Sequence, residues 1–393
     1  MTESTTRSIP LAQAQPSRLA FLDGLRAVAA TYVLLHHTFL TVYPQAPAGG
    51  LMGATTNWLE YGDYGVTLFI VVSGYSLMLS PIGNGLRLRG GVMTFFRRRF
   101  MRIVPAYWAA LLISTILGLT VLSVWTGTHW DVSIPVTWQG FVLHVLLLQD
   151  FYGAAEINHV FWSVAIEWHI YFLFPLLLLL WRKQRMWWTT AVIVVVSTAV
   201  ALGLAAQLPA YPADPAFVLW FNYLGCFTLG AAAARVAQHG GFVMMAGGTL
   251  RKPNWVLLAG VSAVITALFH NFVYAQALDT TLFGITATLL LVALSTGQVR
   301  WLRGMLQCRP LVWVGIASYS LYLLHAPIIQ LVWQYVLSPL GFDIEEGPTF
   351  FVLAPISLVL SLAAARASFL LVERPFLPKS TRKAEAEEIA HPR

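Results

Sequence analysis

The chain has 393 residues, 58% of them apolar and only 10% charged, with a formal net charge of +7. Soluble domains carry about 25% charged residues, so the composition excludes a soluble enzyme and points to an integral membrane protein of many spans. The two cysteines, Cys226 and Cys308, offer neither metal spacing nor a disulfide framework, which excludes cysteine-based redox chemistry.

Met1 to Arg18 is polar, rich in Ser, Thr, Gln and Pro, and lacks the short apolar core of a cleavable signal peptide, so the first span is expected to stay in place. Apolar windows then fall near 22–43, 60–80, 103–124, 160–181, 187–208, 217–237, 254–274, 281–299, 311–333 and 350–372. Each is long enough to cross a bilayer, so the expected fold is all-α and polytopic, with about ten transmembrane helices. With the N-terminus cytoplasmic, every Lys and Arg except Arg366 falls on the cytoplasmic side. The external loops carry Asp131, Asp214, Asp279, Asp343, Glu345 and Glu346 instead. This positive-inside pattern puts both termini in the cytoplasm. It also turns the basic excess into an orientation signal, and no nucleic-acid partner is expected.

The first window, Leu22 to Val42, carries Arg26 at its entrance and His36 and His37 in its interior. Ionisable groups inside an apolar span are costly and mark function by default. Arg26 and His37 are eleven residues apart, which brings them within roughly 20° of the same helix face, with a rise of ~16 Å. His36 lies ~80° off that face and is expected to meet a neighbouring helix or lipid. Asp23 reads as a helix N-terminal charge, and Ser73 with Gly74 in the second window as a small-residue packing pair.

Gly85 to Arg102 joins the second and third windows and ends in FFRRRFMRIVPAYW. Arg98 and Arg102 are one helical turn apart with Arg99 beside them, a cluster whose guanidinium forks suit phosphate groups. Gly140 to Asp150 is apolar but too short to span, and is expected to lie at the outer surface or to dip into the bundle. Asn158 to Pro175 places Glu167 about 10 Å below the outer surface, where a carboxyl must find a partner. His169, two residues on, points to another face. Gly315 to Ile328 places Ser318, Tyr322 and His325 on one face at one-turn spacing, with His325 about 21 Å deep from the cytoplasm. The same counting brings His37, Glu167 and His325 to one layer in the outer half of the membrane. His129, His144, His159, His239, His270 and His391 show no spacing that argues for a metal, and no metal is expected. No Walker loop, dinucleotide fingerprint or GxSxG elbow is present.

Six segments, LDGLRAVAATYVLLHH, GVTLFIVVSGYS, RRRFMRIVPAYW, FWSVAIEW, ASYSLYLLHAPI and VERPF, occur in the order and at about the spacing of the acyltransferase-3 family of integral membrane acyltransferases. The resemblance runs from about Arg18 to Phe376 and is carried by the six together. It implies a polar tail over 1–18, a transmembrane acyltransferase domain over 19–376 and a charged cytoplasmic tail over 377–393. Many such proteins also carry an extracytoplasmic hydrolase-like domain, which is not expected here.

The resemblance further implies transfer of an acyl group, acetyl foremost, from cytoplasmic acyl-CoA to a hydroxyl of an envelope glycan, a lipid-linked sugar or a small natural product. Acyl-CoA would be a co-substrate, with no permanently bound cofactor, and the enzyme would reside in the bacterial inner membrane. The family motifs fall on Arg26 and His37, on Arg99 and Arg102, on Trp162, Ser163 and Glu167, and on Tyr322 and His325. In the mechanism this implies, Arg26, Arg98, Arg99 and Arg102 hold the donor and His37 is the general base, assisted by Glu167. Tyr322, His325, Trp162 and Ser163 serve acceptor binding or the transition state. The competing expectation is a proton-coupled transporter or flippase using the same buried His and Glu groups, although no internal repeat supports an inverted-repeat transporter.

Overall fold

The computed structural model describes residues 19–44, 50–151, 156–183, 185–207, 215–244, 250–272, 275–344 and 347–377. The tails over 1–18 and beyond Leu377 lie outside these described residues, as do Asp214, Glu345 and Glu346.

The first half of the chain runs α1 (Ala20–Val42), α2 (Gly50–Thr56), α3 (Asp63–Ile82), α4 (Gly91–Leu119), α5 (Trp138–Val145) and α6 (Trp162–Lys183). The second half runs α7 (Met186–Gln207), α8 (Pro215–Gln238), α9 (Trp255–Phe272), α10 (Gln276–Ser295), α11 (Arg300–Leu306), α12 (Arg309–Ile316), α13 (Ser318–Val332) and α14 (Gly347–Ser368). The strands described are a two-residue antiparallel pair, Val243–Met244 with Leu250–Arg251.

Every apolar window of the sequence overlaps a helix among the described residues. Among the described residues, eight helices are long and apolar enough to cross a membrane, and the windows near 217–237 and 254–274 are α8 and the shorter α9, outside those eight. The protein is a polytopic membrane protein, because helices satisfy their own backbone where lipid offers no partner. Val195 and Val196 of α7 and Leu257, Val264 and Leu268 of α9 are exposed, as lipid-facing positions should be.

Two windows differ from the helices they became. The third begins twelve residues earlier, at Gly91, so Arg97, Arg98, Arg99 and Arg102 ride on the same rigid helix as the apolar span. The ninth is broken at Ala317 into α12 and α13. Gly315, just before the break, lies directly against the backbone of Asp23 in α1, where any Cβ would collide. This close approach seats α12 on the start of α1 and lets α13 set off afresh along the rest of it. Counting depth along one continuous helix from position 311 therefore misstates the path to His325.

Gly74 of α3 and Gly230 of α8 bring those helices together, since a Cβ on Gly74 would strike the carbonyl of Phe227 and one on Gly230 that of Val71. The packing role expected for Gly74 holds, whereas Ser73 hydrogen-bonds to Tyr171 Oη at 2.8 Å. Gly74→Val is expected to cost about 1–3 kcal/mol through overpacking. Thermal unfolding of the detergent-solubilised protein checks this, and an unchanged midpoint would contradict the close approach.

Between α4 and α6 the described residues form a cap at one end of the bundle, the end expected from charge asymmetry to face outward, containing the 3-10 turn His129–Ser133, α5 and a second 3-10 turn, His159–Phe161. Gln330 of α13 ties it down, accepting from Thr128 Oγ1 at 2.8 Å and donating from Nε2 to Thr126 Oγ1 at 3.0 Å. Within the cap α5 lies on the bundle without crossing it. Trp138 is exposed, His144 is buried, and Trp108 Nε1 of α4 donates to Val145 O at 3.0 Å.

Candidate active site

α1 carries three of the side chains that build the site. His37 Nδ1 lies 2.9 Å from Val33 O, and a carbonyl can only accept, so the ring carries its proton on Nδ1. His325 Nδ1 lies 2.7 Å from Tyr322 O and is protonated for the same reason, which leaves a lone pair on His325 Nε2. That lone pair sits 3.1 Å from His37 Nδ1. The His37 Nδ1–H is thus shared between Val33 O and His325 Nε2, and His37 Nε2 is left with a free lone pair in a fixed direction. His36, on the other face as helical counting requires, donates from Nδ1 to Leu59 O at 2.7 Å. Its ring fills the space against Gly62.

The cap closes over this pair. His129 and His159 put their ring centroids 6.0 and 5.1 Å from that of His37, and 4.6 Å from each other. Ser133 Oγ accepts the backbone N–H of His159 at 3.1 Å and is 2.9 Å from its Nδ1. Among the described residues, His159 Nε2 is buried with no hydrogen-bond partner. Burial pushes the His129 imidazole down to about 4, which keeps it neutral at physiological pH. One ring nitrogen from each of His37, His129 and His159 falls within 4.8 Å of the others. Sequence spacing sets His129 and His159 aside, and no local signal could recover them, because a turn of the cap carries each to a helix far away in the chain.

The arginine-bearing part of the site is a cavity of ≈ 210 Å³ between α1, α3, α4, α6 and α13, lined by Arg26, Arg99, Arg102, Ser163, Glu167 and Tyr322 among others. Arg26 is ion-paired with Asp23 at 2.9 Å and donates to Ser76 Oγ at 2.8 Å. Asp23 is therefore a partner of Arg26, in addition to being an N-terminal helix charge. Arg99 has its Nε buried without a hydrogen-bond partner, its guanidinium carbon 6.0 Å from the Phe95 ring centroid. Arg98 is exposed and is not among the residues lining the cavity. The sequence pairs Arg98 with Arg102 by turn spacing, but the face that meets the cavity is that of Arg99 and Arg102.

Glu167 also departs from its expected place. Its hydrogen bond comes from the Tyr171 hydroxyl, one turn along its own helix, and not from His37. Equal depth does not mean equal facing. Glu167 looks into the arginine cavity, while His37 and His325 meet under the cap. Tyr322 stands between the two regions. Its hydroxyl donates to Val160 O at 3.0 Å, so the Ser163 hydroxyl is the donor in their 2.5 Å contact. Its ring lies 5.7 Å from that of His325. Trp162 stacks on Tyr223 at 5.9 Å and is not among the residues lining the cavity. The His169 ring packs on Phe151 at 4.9 Å, away from the site.

A sequence model described as an acyltransferase domain matches residues 19–366. The O-acetyltransferase OatA of Staphylococcus aureus (strain NCTC 8325) is 26% identical over 382 residues, covering 93% of this chain and 58% of OatA. The acyltransferase MdmB of Streptomyces mycarofaciens is 28% identical over 347 residues, covering 83% of this chain and 82% of MdmB. The chain thus spans little more than half the length of OatA and most of that of MdmB. No solved structure matches.

Proposed function

The chain belongs to the acyltransferase family whose model covers residues 19–366, and on that premise we propose that it is a membrane-embedded O-acyltransferase of the bacterial cytoplasmic membrane. Its donor is acyl-CoA, acetyl-CoA foremost, and its acceptor is a hydroxyl of an envelope glycan, a lipid-linked sugar or a small natural product.

The observation that carries this reading is the fixed His37 tautomer. Its Nδ1–H is held by Val33 O and His325 Nε2, and its Nε2 lone pair is free. That is the arrangement a general base needs. Arg99 and Arg102, with Arg26 beside them, bind the phosphates of CoA at the cytoplasmic end. The ~16 Å rise from Arg26 to His37 along α1 is comparable to the extended pantetheine arm that delivers the thioester.

His37 Nε2 takes the proton of the acceptor hydroxyl as its oxygen bonds to the thioester carbonyl carbon. The tetrahedral intermediate collapses with cleavage of the C–S bond, and His37 returns the proton to the departing CoA sulfur. His325 orients the ring and shares the charge that the protonated imidazole carries. Glu167 serves from the arginine cavity, through Tyr171 and alongside Arg99, so its assistance to His37 is indirect.

Purified protein in detergent, given acetyl-CoA and candidate acceptors, is expected to release free CoA thiol faster than His37→Ala. Equal release for every acceptor, together with solute flux in proteoliposomes, would replace this reading with a transporter. His325→Ala is expected to lower kcat about tenfold or more with KM for acetyl-CoA held, since it touches the base and not the donor. A rise in that KM with kcat intact would remove His325 from the base.

A further inference from the structure

The acyltransferase reading leaves His129 and His159 without a task, although they are the groups that close over His37. We propose that His129, His159 and His37 form a three-imidazole cradle for the nucleophilic oxygen of the acceptor, with the two cap histidines as acceptor-binding residues. This inference rests on the acyltransferase reading and names the part of that site which receives the hydroxyl.

The dimensions admit a hydroxyl oxygen in the cradle. Three nitrogens bound tetrahedrally to a zinc ion at about 2.0–2.1 Å stand about 3.4 Å apart. Three nitrogens hydrogen-bonded to one oxygen at about 2.9 Å stand about 4.7 Å apart. The three imidazole nitrogens all lie within 4.8 Å of one another, a spread that admits a hydroxyl oxygen at hydrogen-bond distance from each, whereas a metal ion would draw in any pair standing at that limit.

Protonation fits the same occupant. A hydroxyl has one proton to give and two lone pairs to receive. His37 Nε2 offers the lone pair that takes the proton, because Nδ1 is committed as a donor to Val33 O. Ser133 Oγ accepts the His159 backbone N–H and lies 2.9 Å from His159 Nδ1; the cradle takes Ser133 as the donor in that second contact. His159 then carries N–H at Nε2, the atom that is buried without a partner. A buried donor left unsatisfied costs about 1–3 kcal/mol, a penalty that the acceptor oxygen relieves on arrival. His129 is neutral, so it adds a hydrogen bond without placing a positive charge beside the base.

The cradle also accounts for the cap's attachment. Gln330 pins Thr126 and Thr128 immediately before His129, and Ser133 ties the end of the same turn to His159. The two imidazoles are thereby held over His37 by the outer layer, on the side from which an envelope acceptor arrives. The proton balance is that of the transfer itself. The acceptor O–H proton goes to His37 Nε2, the O–C(acyl) bond forms, the C–S bond breaks, and the proton ends on the CoA sulfur. His129 and His159 donate hydrogen bonds throughout and exchange no proton.

The test uses the full chain in detergent, with acetyl-CoA as donor and either chitotetraose or water as acceptor. His129→Ala and His159→Ala are each expected to raise the KM for chitotetraose, and to slow hydrolysis by water, at least about tenfold, the loss of one or two hydrogen bonds to a hydroxyl. The KM for acetyl-CoA should stay within about twofold in the same variants. His159→Gln, which keeps an N–H donor near the Nε2 position, should recover part of the loss, an effect that a misfolded cap would not give.

Unchanged acceptor kinetics in both alanine variants overturn the cradle. So does tight binding of one Zn²⁺ per chain that both variants abolish while chitotetraose KM stays put, since that outcome identifies a metal site. Wild type that releases no more thiol than His37→Ala with every acceptor tried, water and chitotetraose included, overturns the acyltransferase reading beneath, so the two failures are told apart.

Discussion

His37→Ala is expected to lower kcat by about 10²–10⁴-fold while acetyl-CoA still binds, the range that removal of a general base commands. The separation of the two effects comes from geometry. His37 lies under the cap against His325, His129 and His159, whereas the donor phosphates are assigned to the cavity lined by Arg26, Arg99 and Arg102. Isothermal titration with acetyl-CoA, set beside a thiol-release assay, measures both. A variant that keeps more than about a tenth of wild-type turnover would place the base elsewhere. One that loses donor binding and turnover together would make His37 part of the donor site.

Arg99→Ala combined with Arg102→Ala is expected to produce the opposite pattern. Each guanidinium lost from a phosphate removes charge-assisted hydrogen bonds worth about 1.5–3 kcal/mol, so the Kd for acetyl-CoA should rise at least about 100-fold in the pair. Turnover at saturating donor should change far less. Arg99 is the more consequential of the two, because its Nε is buried and, among the described residues, without a hydrogen-bond partner, and its guanidinium stands near the Phe95 ring. Arg98→Ala should move the affinity much less, since that side chain is exposed and outside the cavity lining. An Arg98 effect as large as that of Arg99 would restore the face that turn spacing alone selects.

The arginine cavity and the histidines under the cap are two groups of conspicuous residues and not one cluster. Depth along a helix follows from 1.5 Å per residue, and by that measure Glu167, His37 and His325 share a layer. Two of the three do meet, at 3.1 Å. Glu167 turns instead to Tyr171 and the arginines, because the direction in which a side chain leaves its helix depends on how that helix is rotated against its neighbours. Contacts that α6 makes with other helices, such as Tyr171 on Ser73 and Ser163 on Tyr322, accompany that rotation, and no single helix encodes it.

The all-α membrane architecture and the one-turn pairing of Tyr322 with His325 are legible in the chain, which also predicts cytoplasmic termini and a shared Arg26–His37 face on α1. These follow from hydropathy, charge asymmetry and helical period, which are local properties of the chain. The break of the ninth window at Ala317, the entry of Arg99 but not Arg98 into the cavity, and the descent of His129 and His159 on His37 emerged with the assembled fold. Each depends on contacts between segments distant in sequence, such as Gln330 holding the cap and Gly315 seating on α1. Long-range packing of this kind leaves no period for a sequence to display, so the outer half of the site becomes visible only once the helices are assembled.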